Sequence, residues 1–193
     1  MDITSPFFHY LKQHQSTAIR HLHLTVMMLV LLEVLLSNIM HVNKQGEIGQ
    51  STLEYVGTWA HIVVGISLVF FGSLFIIVAF KQRGFKYYFP YLCNQWQPLK
   101  SDIKLLTQLT LPESKPYGIS SCIQGLGLGA LCLVYITGIS WFISWNLNLT
   151  LAPNLLHWHK TLTGLVEAYL VGHGVMAIVH IYNPLKLKRE VIN

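Results

Sequence analysis

Four histidines in this chain stand at positions from which imidazole can act as a paired ligand. His159 and His173 lie 14 residues apart in one long apolar segment. At about 100° per residue they return to nearly the same helix face. At about 1.5 Å rise per residue they are about 21 Å apart along the axis. That separation places one near each edge of a hydrocarbon core about 30 Å thick. His23 and His61 each lie near the start of another apolar segment. Imidazole is a standard axial ligand of haem iron, and four such groups make two bis-histidine sites.

The elements that must position them are set by composition. Of the 193 residues 52% are apolar and only 11% charged. A soluble domain carries about 25% charged residues, so this chain expects lipid as its solvent. The expected fold is all-α: an integral-membrane four-helix bundle forming a single domain over 1–193. The spans run over about 20–40, 57–80, 118–145 and 155–182. Each is long enough to cross a bilayer, and backbone polar groups in lipid find partners only in a helix. The three cysteines, Cys93, Cys122 and Cys132, form no C-x-x-C-H attachment site and no zinc or iron–sulfur spacing. Met1 to Ile19 is polar, unlike a cleaved secretory signal. No nucleophile triad, phosphate loop or paired carboxylate site is visible.

Charge gives the orientation. Eleven of the 13 lysines and arginines lie in the N-terminal segment, the connection between the second and third spans, and the C-terminal segment. Lys44 and Lys160 alone lie on the other side. Such asymmetry predicts that both termini and the middle connection are cytoplasmic. The pI near 9.1 therefore reflects loops that orient the protein, and does not point to nucleic acid. Trp59, Trp145 and Trp158 then fall at the outer interface. Within the middle connection, Leu99 to Leu109 has helical apolar spacing with lysines between, as in a short helix on the inner leaflet or a turn covering the bundle.

Depth pairs the ligands. The first span runs outward and the second and fourth run inward. His23 therefore meets His173 at the inner level, and His61 meets His159 at the outer level. His21 is turned about 160° from His23 and cannot share its face. A histidine-based metal transporter is a more distant alternative, but it favours ligands at one depth with acidic residues beside them. Gly65, one turn after His61, leaves room for a flat macrocycle. Gly125, Gly127 and Gly129 crowd the third span, where Gly125-x-x-x-Gly129 also fits ordinary helix packing. Glu33 and Glu167 lie inside spans, where carboxylates are expensive. Glu33 reads first as a neutral side chain bonded to a neighbouring helix. A proton relay, or an acceptor on a ligand imidazole, is the functional alternative for both. His180, seven residues after His173, faces the same way and suits a quinone or a haem propionate. His41 and His157 suit the same role at the other interface.

These residues resemble a known family, the bacterial di-haem cytochrome b subunits of the nickel–iron hydrogenase and formate dehydrogenase type, which include the bacterial cytochromes b561. The likeness runs from Arg20 to Tyr182. It rests on Arg20-His21-Leu22-His23 opening the first span, His61 with Gly65, and the turn Lys115-Pro116-Tyr117-Gly118. It rests further on Thr137-Gly138 and on His159 with His173. Leu24 stands where the family often has an aromatic residue, and Lys115 where it often has asparagine. The third span lacks the histidine common in the superoxide-oxidising branch.

The resemblance implies two b haems and a bacterial inner (cytoplasmic) membrane. It further implies electron exchange between quinone or quinol and a redox partner: a dehydrogenase, hydrogenase, iron–sulfur protein or cytochrome c. A stand-alone superoxide:quinone or quinol oxidoreductase is the alternative.

Overall fold

The computed structural model describes residues 16–43, 47–112 and 114–182, with the backbone alone for 179–182. Four long helices dominate: α1 (Thr17–Ser37), α2 (Thr52–Arg83), α5 (Ile119–Asn146) and α6 (Ala152–Tyr182). All four are long and apolar enough to cross a membrane. The expected all-α membrane bundle is therefore the fold. Most of their surface is uncovered by other protein, with Leu24, Met28, Val63, Phe70, Ile136 and Val171 each more than half exposed. An exposed apolar surface this extensive marks a membrane or interaction face.

Local chemistry sets the helix ends. Ser16 caps α1, its hydroxyl accepting from the Ile19 amide at 3.3 Å, and donates to Gln82 Oε1 near the end of α2 at 2.9 Å. The apolar run of α2 begins at Gly57, yet the helix starts five residues earlier at Thr52. A capping box explains this. Ser51 Oγ accepts from the Glu54 amide at 3.2 Å, and Glu54 Oε2 accepts from the Ser51 amide at 3.3 Å. At the other end of α1, Ser37 and Asn38 side chains both donate to the Val34 carbonyl, closing that helix before the expected Met40.

Packing divides the bundle into two hairpins. α1 lies along α2 and α5 lies along α6, while α2 and α5 meet only sparsely. A central cluster of Val26, Val30, Leu68, Leu131 and Tyr135 joins the hairpins at mid-height. A second cluster, around Val42, Ile62, Trp141 and Leu156, closes one end.

The middle connection holds more structure than the single short helix expected. It contains α3 (Phe85–Tyr88), a 3-10 turn (Pro90–Cys93) and α4 (Gln97–Thr107). Gly84 turns the chain at φ +78°, a conformation glycine adopts without strain. Tyr88 is buried against Phe80, 5.6 Å between ring centres, and that burial pushes its phenol above the ordinary value. Its backbone carbonyl rests on Gly125, where a Cβ would collide with it. The Gly125-x-x-x-Gly129 pattern thus seats the connection rather than another long helix, and nothing approaches Gly129.

α4 braces the start of α5. Asp102 is 1% exposed, accepts from the Ile119 amide at 2.9 Å and pairs with Lys115 at 2.7 Å. Ile103, Leu106 and Leu109 on the same segment stay exposed. The stretch therefore covers the start of α5 through Asp102 and presents apolar side chains outward.

Candidate functional site

The four histidines are delivered by three helices. His23 stands on α1, His61 on α2, and both His159 and His173 on α6. The His23 and His173 rings approach to 6.1 Å between centres, at 74° to one another. The His61 and His159 rings approach to 6.4 Å at 73°. Each pair joins one hairpin to the other, and the pairs lie at two levels. Depth reckoning from the sequence brought the same partners together. His21 is exposed while His23 is half-buried, as the helix face requires.

An imidazole–metal bond of about 2 Å on each side of one ion, plus about 1.1 Å from ring nitrogen to ring centre, spaces two ring centres by about 6.2 Å. Both pairs match that spacing. Plain edge-to-face ring pairs occupy the same range, so distance alone does not decide. The ring nitrogens make further contacts. His61 Nδ1 closes directly on Glu33 Oε2. His159 Nδ1 lies 3.4 Å from Thr137 Oγ1. The Thr137 hydroxyl donates to the Leu133 carbonyl at 2.8 Å, so towards His159 it accepts. His173 Nδ1 lies 3.4 Å from the hydroxyl of Tyr169, whose ring stacks on the imidazole at 5.2 Å. Three of the four imidazoles thus have an oxygen close to Nδ1, that of Glu33 beside His61 being an ion-pair contact rather than an aligned hydrogen bond. A partner that accepts from Nδ1 favours the tautomer whose Nε2 is free to bind a metal.

A cavity of about 240 Å³ opens between the hairpins at the His61–His159 level. Its wall is overwhelmingly apolar, but Glu33, Tyr135 and Trp141 line it, and each has a buried polar atom (Oε1, the hydroxyl and Nε1) without a hydrogen-bond partner. Buried polar atoms normally have partners. A largely apolar occupant with some polar edges suits such a wall. Gly138 lies against the His159 ring, where a Cβ would stand 2.9 Å from Cε1. Gly65 also lines the cavity, and a Cβ there would meet Glu33 Oε1 at an unstrained 3.6 Å. The residues present fit a macrocycle held by two imidazoles.

Several participants were not singled out in the sequence. Tyr169 had no signal of its own, although its position four residues before His173 places it on that face. Gly127 admits the Tyr169 ring against α5, which accounts for one glycine of the crowded run. Thr137 had been noted only beside Gly138. Glu33 bonds to a neighbouring helix, as first read, but its partner there is His61, so the acceptor alternative describes its geometry. Glu167 reaches the same cavity from α6 and is exposed. His41 and His157 are exposed near the opposite end from His23. The side chain of His180 lies outside the described residues. Among the described residues no three His, Cys, Asp or Glu side chains converge on one point.

Over residues 14–189 the chain matches the family described as prokaryotic cytochrome b561. No curated protein and no solved structure matches it. The chain belongs to the prokaryotic cytochrome b561 family, and is therefore a multi-pass membrane protein, a b-type haem cytochrome of electron transfer.

Proposed function

We propose that this cytochrome holds two b haems and serves as an electron-transfer subunit between quinone or quinol and a redox partner protein. His23 with His173, and His61 with His159, are the axial ligand pairs. The observation that carries this reading is the presence of two opposed imidazole pairs, at two levels, each bridging the two hairpins. The haems, when bound, supply one-electron redox chemistry.

The chain's residues do the rest. Glu33, Thr137 and Tyr169 orient three of the imidazoles through Nδ1. The cavity wall supplies a low-dielectric setting and leaves room for a flat group beside Gly65 and Gly138. Among the described residues the imidazoles converge in pairs rather than threes, which favours two haem sites over a transported metal ion.

The whole chain acts as one domain, with both termini and the middle connection on the cytoplasmic face of a bacterial inner membrane. The distribution of lysine and arginine supports that orientation. Quinone headgroups, which need hydrogen-bond donors at an interface, bind on that same side near His23 and His173. There Arg83 donates to the Tyr87 hydroxyl at 3.1 Å and to Gln124 Oε1 at 3.3 Å, beneath the middle connection.

A pyridine haemochrome assay on purified protein tests the reading. Two non-covalent haems per chain are expected, and none or about one would overturn it.

A further inference from the structure

The sequence has eight acidic residues, and only Glu33 and Glu167 lie deep inside the long helices. Among the described residues, Glu33 alone pairs with a histidine. Its side chain is 12% exposed and that of His61 17%. One carboxylate oxygen meets His61 Nδ1, and the other is buried without a hydrogen-bond partner. A carboxylate in an apolar span is costly unless its interactions compensate. Among the described residues the other level has no counterpart. His173 Nδ1 has the neutral Tyr169 hydroxyl, and the His23 ring makes ring contacts with Phe75 and His173.

We infer that Glu33 is a positioning residue for His61. It sets the orientation and tautomer of that imidazole and lowers the reduction potential of the haem at the His61–His159 level. The inference rests on the two-haem reading. An acceptor on Nδ1 makes the imidazole a stronger electron donor to a metal bound at Nε2. A negative charge nearby in low dielectric favours the oxidised, more positive iron over the reduced one. Both effects act in the same direction, and both act at one level only. The two sites are thus made unequal by a single side chain.

Redox titration of the full-length protein, following the optical bands and low-temperature EPR of each haem, is the test. The level is assigned from the haem missing in His61→Ala. Glu33→Gln should retain both haems, raise the midpoint of the His61–His159 haem, shift its EPR g-values and leave the other haem unmoved. Glu33→Asp, which keeps the carboxylate, should lie closer to the wild type. Unmoved potentials in a fully loaded Glu33→Gln protein, or equal shifts at both levels, would overturn the inference. Should Glu33→Gln lose that haem, recovery in Glu33→Asp but not in Glu33→Leu upholds the positioning role; equal retention in Glu33→Leu overturns it. Wild-type protein carrying fewer than two haems would sink the two-haem reading instead.

Discussion

Gly138→Ala tests the site by adding one methyl group. The new Cβ would stand 2.9 Å from Cε1 and 3.2 Å from Nδ1 of His159. Real side-chain contacts are wider, so the ring must retreat by roughly half an ångström or α5 must shift away from α6. The ring is not free to turn aside without loss. Its Nδ1 faces Thr137 at 3.4 Å, on the same turn of α5 as the added methyl. Overpacking of this kind costs about 1–3 kcal/mol. If that cost falls on the bound geometry, haem affinity at the His61–His159 level drops by about 5- to 150-fold. Haem titration into apoprotein, read by the difference spectrum, measures it. The His23–His173 site should be unaffected, because its level is about 21 Å away along α6. Undiminished affinity at the His61–His159 level would refute the placement of Gly138 against a working ligand. Loss confined to the other level would refute the pairing itself.

Other outcomes follow from the same geometry. His61→Ala and His159→Ala should each abolish one and the same haem, and His23→Ala and His173→Ala the other; a shared loss in His23→Ala and His61→Ala would break the pairing. His21→Ala should keep both haems at wild-type content, since its ring faces outward, and a haem deficit would move the ligand to His21. Asp102→Ala strips the buried cap from the Ile119 amide. The expected cost is about 1–3 kcal/mol, with Lys115 free to turn to solvent. For a chain of this size about 2–4 °C is lost per kcal/mol, so the melting temperature in detergent should fall measurably while both haem spectra persist. An unchanged melting temperature would show that α4 does not brace α5.

The four long helices were legible because lipid leaves the backbone no alternative, so length and apolarity alone define them. Their ends were less so. The capping box at Ser51 and Glu54 is polar and lies outside the apolar run that announces α2, and the structure places the helix start there. The middle connection was legible as one amphipathic stretch. Its aromatic turn, by contrast, depends on Tyr88 meeting Phe80, 8 positions away, and Gly125, 37 positions away, contacts that no local pattern displays.

Ligand pairing and ligand support differ for the same reason. Depth along a helix is a one-dimensional quantity, fixed by residue count, rise and direction, so the partners His23–His173 and His61–His159 could be matched without knowing any helix contact. Support at Nδ1 needs azimuth as well as depth. Glu33 stands on α1 and His61 on α2, and whether they touch depends on how that hairpin is rotated. Thr137 and His159 pose the same question across α5 and α6. Tyr169 and His173 are the instructive exception: both lie on one helix four residues apart, so their contact was available to sequence reasoning. The Nδ1 partners are also where the two levels differ, with a carboxylate at one and, among the described residues, only hydroxyl or ring contacts at the other. The feature that makes the sites chemically unequal is therefore carried by interhelical rotation, the part of the fold that spacing along the chain does not encode.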